Sequence, residues 1–80
     1  MKQISGEKLK EMYDHYIDLR CKVIHSRHGS MDEEWYGGCR EEAEKWLALF
    51  GVDTSYDVTH KAIVKRYKEK YGESIEYGDY

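Results

Sequence analysis

The segment RCKVIHSRHGSMDEEWYGGC, from Arg20 to Cys39, gathers most of the side chains in this sequence that can do chemistry. It holds both cysteines and two of the four histidines. Cys21, His25 and His28 stand at four- and three-residue steps. On a helix, at about 100° per residue, these steps place them within roughly 60° of one another. Sulfur and imidazole are donors that zinc prefers, and Cys39 is a fourth candidate. Distance argues against one shared ion. Cys21 to His28 spans seven residues, about 10 Å of helix axis, whereas zinc bonds are about 2.0–2.3 Å long. The spacing also matches no common zinc pattern. The expectation is therefore no metal site and no cofactor, with Cys21 and His25 the ligands if zinc does bind. The same two residues pair a nucleophile with a base, yet no third group or glycine-rich loop stands ready to orient them. Cys39 is expected as a small buried hydrophobe among Trp35, Trp46 and Phe50.

A second pattern overlaps the first. In LRCKVIH, four residues separate Arg20 from His25. This resembles the R-x4-H motif of the HEPN family of helical ribonucleases. The resemblance implies metal-free RNA cleavage at a site built by two paired chains. Arg20 would steady phosphate charge and His25 would assist proton transfer at a 2′-hydroxyl. The family usually places a polar residue directly after the arginine, where this chain has Cys21, and two helices before the motif helix, for which there is no room here. A structural explanation competes. Arg20 falls within the apolar arc of its helix, and Glu42 falls on the apolar face of the next. A half-buried ion pair between Arg20 and Glu42 would account for both. That pair is the adopted reading, and the protein is expected not to be an enzyme.

Three helices must position these residues. Ser5 is an N-cap for the first, expected over 6–28, where Leu9, Met12, Tyr16, Leu19 and Val23 recur at helical spacing with Tyr13, Ile17 and Ile24 beside them. Gly29 is the expected stop, and Ser30 with Glu33 forms a capping box for the second helix, 31–50. That helix is expected to bury Trp35, Cys39, Ala43, Trp46, Leu47 and Phe50. Gly37 and Gly38 in its interior, each costing about 1 kcal/mol relative to alanine, predict a kink or break. Thr54, Ser55 and Asp57 offer caps for the third helix, 56–71, with Tyr56, His60, Ile63, Val64, Tyr67 and Tyr71 on its apolar face. Residues 73–80 read as a short extended tail. The fold class is all-α, a small three-helix bundle in one domain of 80 residues. A chain this short has little room for a deep pocket.

Composition and charge narrow the function. Net charge is −3 and no apolar run reaches the length of a membrane span. The first ten residues carry no apolar signal core, so the cytoplasm is the expected location, with reduced cysteines. Residues 29–50 hold six acids and two bases, whereas 51–72 hold five bases and three acids. A loose helix-turn-helix reading would send Lys61, Lys65, Arg66 and Lys68 of the third helix to phosphates. Its turn is long, lysine reads bases poorly, and the acidic segments repel a polyanion. Protein binding fits better. Eight tyrosines stand against one phenylalanine, and tyrosine suits contacts that are both apolar and polar. The expected binding surface is an acidic, tyrosine-bearing strip. It comprises Asp32, Glu33, Glu34, Tyr36, Glu41 and Glu44, with Glu73, Glu76, Tyr77, Asp79 and Tyr80 of the tail. Such a strip could enter the basic, nucleic-acid-binding groove of a larger protein. In size and style the chain is like the small regulators and inhibitors of phages and other mobile elements, anti-defence inhibitors among them.

Overall fold

The computed structural model describes residues 5–26 and 29–75. Three helices account for most of them: α1 (Gly6–His25), α2 (Met31–Leu49) and α3 (Tyr56–Tyr71). The all-α three-helix bundle is the fold.

Each boundary has a local cause. Ser5 caps α1, its Oγ accepting from the Lys8 amide at 3.1 Å. α1 ends at His25, three residues short of the sequence expectation, because Ser26 turns extended and its amide and hydroxyl both donate to the Lys22 carbonyl. Ser30 caps α2 through the Glu33 amide at 3.1 Å, while the Glu33 carboxylate accepts from the Gly29 amide at 3.0 Å. This is the capping box reaching one residue further back than usual. Gly29, Gly51 and Gly72 have φ near +80°, +79° and +69°, the left-handed turn that closes a helix and favours glycine. Asp53 accepts from the Ser55 amide and leads the chain into α3.

α2 runs unbroken through Gly37 and Gly38, against the expected break. The i→i−4 ladder tolerates glycine; it loses only the propensity of about 1 kcal/mol per residue.

α1 is the central element. α2 and α3 both pack on it, and among the described residues no backbone contact joins α2 to α3. A helix flanked on two sides needs a broad apolar arc, which α1 has. Tyr16, Ile17, Leu19 and Cys21 are all buried on it. Leu47 of α2 and Ile63 and Tyr67 of α3 complete the core, and Ile75 of the tail packs against its edge. Among the described residues no helix is long and apolar enough to cross a membrane.

The phase of α2 differs from the expectation. Leu47 is fully buried, but Trp35 is 70% exposed and Trp46 52%. Cys39, Ala43 and Phe50 are half-buried. The inward face is centred on Leu47, Arg40 and Tyr36, roughly 70° around the helix from the expected one. Polar bonding sets this phase. The buried Tyr16 hydroxyl donates to Glu44 at 2.8 Å, and Glu44 also receives Arg40 at 2.7 Å. Turning the tryptophans inward would take Glu44 away from Tyr16. α3 departs less: Ile63 and Tyr67 are inside as expected, Tyr56 is 51% exposed, and Thr59 is buried with its hydroxyl on the Ser55 carbonyl.

Candidate functional site

Arg20 and His25 point to different neighbours. They are five residues apart, about 140° on a helix. Arg20 faces α2, where its guanidinium donates to the Tyr16 hydroxyl at 3.2 Å and lies 3.6 Å from Glu44. The expected ion pair across the first two helices is therefore present with a different acid: Glu44 takes the place of Glu42, which is exposed. His25 faces α3, stacked on Tyr71 at 3.8 Å between ring centroids, with Nδ1 3.4 Å from the Tyr67 hydroxyl.

Cys21 is fully buried, and its thiol donates to the Ile63 carbonyl at 3.6 Å. Burial, with Asp18 nearby, pushes that thiol up to about 11. It is a core thiol at neutral pH, far from the thiolate a nucleophile or metal ligand requires. Burial and the Glu44 hydrogen bond also raise Tyr16, and burial raises Tyr71. No group of three or more histidines, cysteines and acids stands close enough to hold a metal among the described residues. His28 lies outside those residues.

The basic residues of α3 divide. Lys61, Lys65 and Lys68 are exposed. Arg66 turns back to α1, donating to Asp18 at 2.6 Å with Asp14 at 3.6 Å, and the Asp18 hydrogen bond holds its guanidinium more firmly protonated. Arg66 thus closes the α1–α3 interface.

The acidic strip divides similarly. Asp32, Glu34, Glu41 and Glu73 are exposed. Glu33 caps its own helix, and Glu44 is the hub of the cluster with Tyr16, Arg20 and Arg40. Tyr36 is half-buried with the Lys22 ammonium 5.3 Å from its ring centre. Glu76, Tyr77, Asp79 and Tyr80 lie outside the described residues.

The surface that the sequence reading missed is the outer face of α2. Met31 (84% exposed), Trp35, Trp46 and Leu49 (74%) lie along it, within roughly 60° of one another on the helical wheel. Gly38 and Glu42 fall between them. Two concavities run along this face. One of about 530 Å³ is lined by Met31, Glu34, Trp35, Gly38, Cys39 and Glu42. The other, of about 320 Å³, is bounded by Cys39, Glu42 and Trp46, with Met12 and His15 of α1 as its far wall. They meet at Cys39 and Glu42 and form one groove. Isolated exposed apolar residues are ordinary; here two pairs of large ones, Met31 with Trp35 and Trp46 with Leu49, stand on one side of α2 with Gly38 and Glu42 between them. The signal was present in the sequence as a second helical stripe, hidden because its two tryptophans look like core.

No family model, no curated protein and no solved structure matches this chain.

Proposed function

We propose that this protein works without catalysis, as a small helical regulator or inhibitor that binds a larger protein through the outer face of α2. The observation that carries the reading is the exposure of Trp35 and Trp46 in one row with Met31 and Leu49. Tryptophan is strongly enriched among the residues that dominate binding energy, where a large ring fills a partner's pocket. The acids on and beside that row, Asp32, Glu34, Glu41 and Glu42, steer encounter with a basic surface. A partner's nucleic-acid-binding groove is such a surface. Against catalysis stands the engagement of the candidate reactive groups: Arg20 with Glu44, His25 with Tyr71, Cys21 inside the core. Against phosphate binding by α3 stands the loss of Arg66 to Asp18.

The test is affinity capture from the native host's lysate after nuclease treatment, with the parent chain and a Trp35→Ala/Trp46→Ala variant compared side by side. A stoichiometric protein that the parent retains and the variant loses supports the reading. Equal retention by both, or capture that vanishes with nuclease, refutes it.

A further inference from the structure

The groove on α2 has a length, a floor and a charge, and together they specify an occupant more closely than "a protein". Its length is set by helix geometry. From Met31 to Trp46 is fifteen residues, about 22 Å or four turns. A single helix lying along it would present apolar side chains at three- and four-residue steps to the same row of anchors.

Its floor is Gly38. Among the described residues nothing accounts for this glycine: a Cβ added there meets none of their atoms within 4 Å, its φ is an ordinary helical one, and the helix runs on unbroken. An interior glycine still costs about 1 kcal/mol against alanine. Glycine at such a position lets another backbone come close, and Gly38 sits between Trp35 and Glu42 in the floor of the larger concavity.

Its charge is negative. Glu34 and Glu42 line the concavity itself, both are exposed, and neither takes part in the ion pairs that close the core. Lys45 is the lone base on the exposed side of α2. A second copy of this chain fits the face poorly. Two α2 helices packed antiparallel about Gly38 would set Glu42 opposite Glu34 of the other copy.

We propose that this groove receives a basic amphipathic helix of the partner protein, its apolar residues between Trp35 and Trp46, its lysines or arginines on Glu34 and Glu42, and its backbone crossing closest at Gly38. The proposal rests on the protein-binding reading above and narrows it to one secondary structure and one sign of charge.

Synthetic peptides test it on the intact chain. The probe is a sixteen-residue helix of leucine and lysine with leucines at three- and four-residue spacing. One control replaces lysine by glutamate, and the other alternates leucine and lysine so that the peptide favours a strand. The readout is the indole and backbone amide resonances of the labelled protein. The expected result is saturable movement of the Trp35 and Trp46 indole signals by the lysine helix. Its affinity should exceed both controls by about tenfold or more and fall as salt rises. Gly38→Gln should keep the helix content and melting temperature and weaken binding by about tenfold, since a side chain then fills the floor. Glu34→Gln with Glu42→Gln should weaken binding and flatten its salt dependence. Three results would overturn the proposal: unmoved indole signals, equal affinity for the glutamate helix, or undiminished binding by Gly38→Gln. Self-association in sedimentation that Trp35→Ala abolishes would give the face to a second copy and overturn it too. Failure here is distinct from failure of the broader reading. A chain whose captured partner depends on both tryptophans, but which ignores the lysine helix, still binds protein, through an occupant of another kind.

Discussion

The phase of α2 decides which residues hold the protein together, and a comparison of alanine variants measures it directly. Leu47 is fully buried against α1. Leu47→Ala removes its apolar contacts and leaves a cavity, a loss of about 3 kcal/mol within the usual 2–5. A domain of 80 residues has in total about 4–12 kcal/mol, so this one change takes a large share. Trp35 is 70% exposed. It keeps about a third of a tryptophan's area out of water, roughly 75 Å², worth at most about 2 kcal/mol at 25 cal/mol/Å². Alanine retains part of that contact and gains about 0.5 kcal/mol in helix propensity. Trp35→Ala should therefore cost about 1 kcal/mol or less, and Trp46→Ala, at 52% exposure, about 1–2 kcal/mol. Urea unfolding followed by far-ultraviolet circular dichroism suits all three variants, because it needs no tryptophan signal. The slope with denaturant should stay constant while the midpoint moves. The opposite phase, with both tryptophans inside, would cost about 3–5 kcal/mol for each of them. If Trp35→Ala destabilises as much as Leu47→Ala, the outward face described here is wrong, and the groove built on it goes with it.

Glu44→Gln should cost about 1–2 kcal/mol, because two partly buried guanidinium groups lose their shared carboxylate. Glu42→Gln, on the surface, should stay within about 0.5 kcal/mol by thermal melting. Gly37→Ala should raise stability by about 0.5–1 kcal/mol, since the helix is continuous there and a methyl group meets nothing among the described residues; a fall would point to a kink. Arg66→Gln should cost about 1 kcal/mol by releasing Asp18 from the α1–α3 interface, whereas Lys61→Gln should be silent. The folded chain holds the Cys21 proton more tightly than the unfolded chain, at about 11 against 9.0. Its contribution to stability is therefore full below about pH 9 and is lost as pH rises through about 11. A stability–pH profile should fall in that window, and Cys21→Ala should flatten the fall.

The helices were legible because their punctuation is local. Ser5, Ser30 with Glu33, Gly51 and Gly72 each act within a turn or so of their own position. α1 was legible for a different reason. Its apolar arc is wide enough that no choice of phase could miss Tyr16, Ile17 and Leu19. α2 has two stripes, and hydrophobicity ranks them wrongly. The outer stripe carries two tryptophans, while the inner one carries Arg40, Glu44 and only one large aliphatic residue, Leu47. Choosing between them requires knowing that Tyr16 of another helix brings a hydroxyl to that point. A partner twenty-eight residues away in sequence leaves no trace in the local pattern. The same blindness moved the Arg20 partner from Glu44 to Glu42, and left Arg66 among the surface cations when Asp14 and Asp18 claim it.

The polar cluster and the exposed tryptophans are two sides of one choice. With Glu44 bonded to Tyr16, Arg20 and Arg40, α2 has one rotational setting against α1. Replacing such a cluster with apolar residues is often neutral or stabilising elsewhere, so stability alone does not explain it. What it does fix is register. Any slip of α2 by one residue, about 100° on the wheel, would separate Glu44 from Tyr16 and carry Trp35 and Trp46 off the outer face. An apolar interface would resist that slip weakly, because the tryptophan stripe would be the more favourable one to bury. Polar bonding inside α1–α2 is thus what keeps two large apolar rings in water. A sequence that maintains that arrangement against the hydrophobic effect gains nothing from it in the free monomer. On the proposed reading, the compensation is a partner that covers the rings.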